Sequence, residues 1–305
     1  MMDIELQKAA KADGIQFASY RIGFCGEVLD DRGKAAVEEI SGNAGKMVTL
    51  RYDPRTFEVD IGGDRVSADA FPDALRPLLT GQVVLEATTL GFVEILLCCR
   101  ALDALGVSEF DILYVEPKHY HSPRRREILH RRDFELSGNV PGYRAIPGYA
   151  ILLGDQPSQK GVFFLGYEES RLRRAFEDLQ MIHAATSAVT FGVPAFKPGW
   201  EMDAIANNIS VIREQNIRGG LYFCGAENPA AVIEILSSIH QGLSQGQRLF
   251  VAPIGTKPHG IGVALFVSEH RNVGIIYDHP RRTQGRSDAI AHWHLFSVRD
   301  YGSGN

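Results

Sequence analysis

The sequence predicts an α/β fold: a Rossmann-like, mostly parallel sheet flanked by helices, arranged as two related lobes. Three observations carry this. Apolar runs of four to six residues alternate with amphipathic stretches along most of the chain, the pattern of strands covered on both faces and joined by helices. Residues 82–86 (QVVLE), a helical stretch from Thr88 to Leu105, and 110–115 (FDILYV) make one strand–helix–strand unit, which favours a parallel sheet with a right-handed crossover. The second half repeats that unit with greater regularity.

Taken in order, Phe17-Ala18-Ser19-Tyr20-Arg21 reads as a strand end followed by a helical stretch. Residues 46–52 and 57–61, separated by Asp53-Pro54-Arg55, read as an antiparallel hairpin. Thr88-Thr89-Leu90-Gly91 opens the helix after 82–86, and Gly106 caps its end. Four strand–helix pairs follow: 162–165 with 168–180, 188–191 with 200–214, 221–224 with 229–241, and 248–252 with a shorter helix near 261–268. Residues 273–277 form a last strand. Tyr114-Val115-Glu116-Pro117 and Tyr277-Asp278-His279-Pro280 share a Tyr-x-x-Pro ending, which suits either a duplication or the general preference for Tyr and Pro at strand ends. Arg124, Arg125, Arg126, Gly138, Pro141, Gly142, Pro147 and Gly148 mark a long connection. The expected division is an N-terminal lobe with a hairpin over 1–145 and a C-terminal Rossmann-like lobe over 146–305.

Composition sets the class. The 305 residues are 45% hydrophobic and 23% charged, enough for a substantial core in one large or two smaller domains. Lys and Arg number 32 against 37 Asp and Glu, a net charge of −5, which disfavours a general nucleic-acid coat. Of four cysteines, Cys98 and Cys99 are adjacent in an apolar run while Cys25 and Cys224 stand alone; they form no disulfide framework and suit a reduced cytoplasm. The polar start is no signal peptide, and no apolar run reaches the roughly 18–20 residues of a membrane span. The expectation is a cytoplasmic protein without a membrane partner.

In an open parallel sheet, ligands bind at the carboxyl ends of the strands, so the residues after each strand are the candidates. Thr88 and Thr89 follow Glu86. Tyr167, Glu168 and Arg171 follow the strand at 162–165. Gly225, Ala226, Glu227 and Asn228 follow 221–224, where Asn228 and Pro229 suit a helix start and Glu227 can accept ribose hydroxyls. Asp278 and His279 follow 273–277. The sharpest segment is Pro253-Ile254-Gly255-Thr256-Lys257-Pro258-His259-Gly260. Gly255 allows close backbone approach, Thr256 can cap the helix, and the helix N-terminus with Lys257 attracts an anion. A tight turn with a solvated lysine is the plainer alternative. The Walker A spacing is absent.

The Gly255-Thr256-Lys257 turn after an apolar strand resembles the Gly-Gly-Thr-Lys turn of CRISPR-associated Rossmann-fold ligand sensors. Ile254 stands where the first of the two glycines would be, and Pro258 follows the lysine. The resemblance implies a pocket for cyclic or linear oligonucleotide messengers at that edge, in a component of a bacterial, defence-type system.

The remaining candidates are less specific. Lys118, His119, His121, Arg124–126, His130, Arg131 and Arg132 form a local basic cluster over 118–132, which can bind phosphate or a nucleic-acid backbone or be a solvated surface. His119 and His121, and His292 and His294, are H-x-H pairs that match no recognised metal spacing, so no metal is expected and no cofactor is named. Three functions remain open. The first is a sensor or binding protein for a small anionic or nucleotide ligand. The second is a hydrolase or transferase on a nucleotide-like substrate, with Glu168, Glu227 or Asp278 as acid/base. The third is a non-catalytic assembly subunit that meets a protein partner through Trp200 or Trp293.

Overall fold

The structure, a computed structural model, describes residues 2–120, 142–144, 146–149, 159–178, 182–280 and 287–302. The fold is mixed α/β, with two sheets flanked by helices. In chain order, the first part carries β1 (Asp3–Ala9), β2 (Ile22–Cys25), α1 (Asp31–Asn43), β3 (Met47–Asp53), β4 (Glu58–Ile61), β5 (Asp64–Ser67), α2 (Phe71–Leu75), β6 (Val83–Glu86), α3 (Phe92–Ala104) and β7 (Phe110–Tyr120). Then come β8 (Gln159–Leu165), α4 (Glu169–Asp178), β9 (Ala188–Gly192), α5 (Trp200–Glu214), β10 (Leu221–Cys224), α6 (Pro229–Gln241), β11 (Arg248–Pro253), α7 (Lys257–Glu269) and β12 (Gly274–Ile275). The last strand is β13 (Ser287–Arg299).

The chain divides into two compact units, Met1–Tyr120 with Gln284–Asn305, and His121–Thr283. The expected cut at 145/146 left the C-terminal end in the second lobe. The structure instead places β13 in the first sheet, hydrogen-bonded antiparallel between β1 and β7.

The first unit's sheet runs β1-β13-β7-β6-β2-β3-β4-β5. Its four central strands, β7, β6, β2 and β3, are parallel. The hairpin is present as β3 and β4, with β5 extending it. Helix α1 starts where Asp30 accepts a hydrogen bond from the Gly33 N–H at 2.7 Å, an N-cap that satisfies an otherwise orphan donor. Its Ala36 and Ile40 pack with Val84, Leu113, Val115, Trp293 and Leu295.

The second unit's sheet is wholly parallel, in the order β10-β9-β8-β11-β12. The chain moves outward from β8 to β10, then returns to β11 on the other side of β8. Crossovers in opposite directions pair α4 with α5 and α6 with α7, the arrangement that covers both faces of the sheet. Continuous apolar runs such as Val162–Leu165 in β8 are buried because both faces are covered. The core joins Phe163, Leu165, Val189, Phe191, Phe250 and Ala252 of the strands to Leu172, Ala175, Ala204 and Val211 of the helices. Helix α6 begins with the Asn228 side chain accepting from Ala231 N–H at 3.0 Å and Pro229 behind it. Asn228→Ala is expected to cost about 1 kcal/mol in chemical denaturation, the usual value of such a cap.

Several boundaries differ from the expectation. The first parallel strand is Ile22–Cys25, not 17–21, where only Tyr20 makes a bridge. Helix α3 starts at Phe92 rather than Thr88, because the Thr88–Thr89 turn is tied to Glu86. Helix α7 starts at Lys257, capped by Thr256 as the turn suggests, and is therefore longer than the stretch expected near 261–268. The segment 114–117 lies inside β7, where Pro117 pairs with Ile290, and so closes no strand. Strand β12 is two residues long. In the basic cluster, Lys118 and His119 are exposed near the end of β7, while 121–132 lie outside the described residues. No helix among the described residues is long and apolar enough to cross a membrane.

Candidate site at the carboxyl edge of the second sheet

The strand order reverses between β8 and β11. Such a reversal at the strands' carboxyl ends is the usual ligand position in parallel sheets. The two turns that flank it are Gly166-Tyr167-Glu168 after β8 and Ile254-Gly255-Thr256-Lys257 after β11. They abut backbone to backbone. A Cβ added at Gly255 would lie 3.0 Å from Leu165 O and 3.1 Å from Phe164 O, and one at Gly166 would lie 3.2 Å from Ile254 O. Side chains larger than hydrogen would therefore push the turns apart.

Side chains from neighbouring elements hold the turns of this rim. Asn208 and Asn207, from the inner face of α5, donate to Gly166 O at 2.8 Å and Tyr167 O at 2.9 Å. Arg171, in the first turn of α4, donates from Nη1 to Ile254 O at 3.1 Å and grips Asp278 through Nε and Nη2 at 2.7 and 2.6 Å. Thr256 Oγ1 donates to Ala226 O at 2.7 Å, tying the β11 turn to the β10 turn. His259 Nε2 lies 3.1 Å from Gly225 O. Such side-chain anchors fix loop backbones before any ligand arrives, which lowers the entropy cost of binding.

This bracing redistributes the candidates. Arg171 and Asp278 are a buried, bidentate ion pair, so Asp278 is structural here and not an acid/base poised for a substrate. Burial opposes charge on Arg171, but the facing Asp278 carboxylate outweighs it and raises the guanidinium's pKa. The Thr256 hydroxyl is spent, donating to Ala226 and accepting from the His259 N–H at 3.3 Å. Asn228 is the α6 cap.

His259 is wholly buried against Phe164, and Cys224 Sγ lies 3.4 Å from its Nε2. Burial lowers the imidazole pKa to about 4 and pushes the Cys224 thiol up to about 12. The two are thus a neutral pair, the opposite of the thiolate–imidazolium that nucleophilic catalysis needs. Partly exposed on the rim are Tyr167, Glu168, Gly225, Glu227, Gly255 and Lys257.

Three features are not apparent from the sequence. Asn207 and Asn208 sit at the spacing of the buried residues Ala204 and Val211; two amides on an apolar helix face were the available signal. Trp200 meets Tyr167 edge-to-face, with ring centroids 6.2 Å apart, and Lys197 lies 5.8 Å above the Trp200 ring. The Val193-Pro194 peptide after β9 is cis, and Pro194 O accepts from Ala226 N–H.

Thr88 and Thr89 belong to the first unit. Their N–H groups donate to the two oxygens of buried Glu86, at 2.7 and 2.9 Å, and the Thr89 hydroxyl also hydrogen-bonds that carboxylate. Both hydroxyls also accept backbone N–H groups, from Val115 to Thr88 and from Gly26 to Thr89. They brace the end of β6.

In the same unit, His292 and His294 of β13 approach one oxygen of Glu116, at 3.3 and 2.9 Å. These are metal-ligand types of the zinc class, and here the imidazoles serve as hydrogen-bond partners of a buried carboxylate. No protein-family model matches the chain, and no curated protein matches it in sequence.

Proposed function

We propose that the second unit binds a small phosphate-bearing ligand of the nucleotide class at the carboxyl edge of its parallel sheet, as a binding or sensing component. The observation that carries this is the strand reversal between β8 and β11, which sets the Gly255-Thr256-Lys257 turn and the start of α7 beside the turn that holds Tyr167. The helix N-terminus and Lys257 favour a phosphate, and Tyr167 offers a face for a base. The turn's resemblance to the oligonucleotide-messenger sensors supports the same class.

The test is thermal denaturation against a panel of mononucleotides, dinucleotides and cyclic oligonucleotides. One class is expected to raise the melting temperature by several degrees, as binding to the folded state requires, and Lys257→Ala is expected to abolish the shift measured against its own unliganded melting temperature. A flat response across the whole panel overturns the reading.

A further inference from the structure

Strand β13 bulges opposite one residue of β7. Ile290 pairs with Pro117 and Trp293 with Val115, so Ala291 and His292 together oppose the single residue Glu116. A bulge of this kind re-aims a side chain. Here it sets His292 against Glu116, next to His294, which pairs with Tyr114. Pairing with β1 stops at Trp293. The His292 side chain beyond it is 40% exposed, and His294 within it is fully buried. Both imidazoles meet one oxygen, Glu116 Oε2, through His292 Nδ1 at 3.3 Å and His294 Nε2 at 2.9 Å.

Charge separates this trio from an ordinary hydrogen-bonded cluster. Buried charges are paired with a counter-charge or coordinate a metal. The buried carboxylates Asp278 and Asp111 each face an arginine, Arg171 and Arg299, and Glu86 takes two backbone N–H groups. Glu116 is 2% exposed, and among the described residues its partners are the two imidazoles, with no lysine or arginine in reach. A neutral imidazole brings one N–H and no charge.

We propose that Glu116, His292 and His294 bind a divalent transition-metal ion of the zinc class. Two imidazole nitrogens and a carboxylate oxygen suit zinc, cobalt or nickel; calcium and magnesium take oxygen ligands. Ligands about 2.0–2.2 Å from an ion stand roughly 3.0–3.4 Å from one another, and both nitrogen–oxygen separations here are of that size. The two imidazole centroids are 6.3 Å apart, about 1 Å wider than two rings on a tetrahedral ion. A small turn of the half-exposed His292 side chain therefore completes the set. On binding, each ligating nitrogen gives the ion its lone pair, and its proton passes to the other ring nitrogen or to solvent. Three protein ligands with an exposed flank at His292 keep a position for water or an anion, as catalytic rather than structural zinc sites do. The H-x-H pair alone does not reveal the site, because the carboxylate lies on another strand, 176 positions from His292.

Titration calorimetry of the chelator-treated full chain with zinc chloride tests the site. About one equivalent is expected to bind with a micromolar or tighter Kd, and calcium or magnesium at about 1 mM is expected to give no binding heat. His292→Ala changes a half-exposed residue, and Glu116→Gln keeps an oxygen acceptor for the rings while removing the charge. Each is expected to retain the native circular dichroism and to weaken zinc binding by at least about tenfold, since even groups behind the ligands are worth that much. Cobalt gives a second readout: visible bands of nitrogen and oxygen coordination are expected, without the near-ultraviolet thiolate band of a cysteine site. A wild-type chain that takes up no zinc overturns the proposal. So does zinc binding that survives either substitution at wild-type strength, or a thiolate band, because the ion then sits elsewhere.

Discussion

Arg171→Ala is expected to destabilise the second unit by about 3–5 kcal/mol, the cost of stranding a buried charge. The guanidinium makes two short hydrogen bonds to Asp278, which is completely buried, and a third to Ile254 O. Alanine leaves a carboxylate and a carbonyl inside the protein with neither water nor a donor. The large number reflects the orphaned partner more than the worth of the pair. The double replacement Arg171→Met with Asp278→Leu should therefore recover most of the loss, since two apolar side chains of similar volume need no partner. Urea denaturation combined with hydrogen exchange of the β8 and β11 amides separates this unit from the other. A loss below 1 kcal/mol, or a double variant no better than the single, contradicts the geometry. The same substitution should loosen the Gly255 turn. Ligand response is therefore expected to fall in Arg171→Ala and not in the double variant only if Arg171 acts purely through stability; weaker binding in both assigns it to positioning of the turn.

That pair also shows where the sequence stops being readable. The strands β6 and β8 to β11 are legible because each is an apolar run long enough to cross a two-sided sheet, and the starts of α6 and α7 are legible from Asn228-Pro229 and Thr256. Which strand neighbours which is not written in periodicity. The reversal between β8 and β11, on which the candidate site depends, arises only when the crossovers are laid out in space. Arg171 and Asp278 are separated by 107 positions, and each alone looks like a ligand group at a strand end; only their mutual burial shows that they neutralise each other. His259 misleads in the same way, because a histidine in the first turn of a helix can face solvent or the sheet, and here it faces Phe164. Strand β13 is obscured by His292 and His294, polar residues whose pairing with buried Glu116 depends on a strand more than 170 positions away.

His259 yields the second large effect, a pH dependence with a definite sign. Among the described residues its imidazole has no acceptor for a second proton. It is fully buried between Phe164, Cys224 and Gly225, its Nδ1 has no hydrogen-bond partner among the described residues, and burial lowers its pKa from 6.5 to about 4. Because the folded pKa is depressed, the unfolded chain takes up a proton first. The stabilisation is complete above pH 6.5, shrinks as pH falls, and is lost through pH 4. A pKa difference between folded and unfolded chain is worth about 1.36 kcal/mol per pH unit, so the contribution over that window is about 3 kcal/mol. Other groups also titrate there, so the readout is a difference. His259→Gln cannot take up that proton and can still donate to Gly225 O. Between pH 7 and pH 4 the wild type is expected to lose about 3 kcal/mol more than this variant, and equal losses would mean that the imidazole is not buried as described. Since His259 holds the Gly225 carbonyl, the first amides to lose protection on acidification should be those of the β10–α6 turn, before the β8–β11 centre opens.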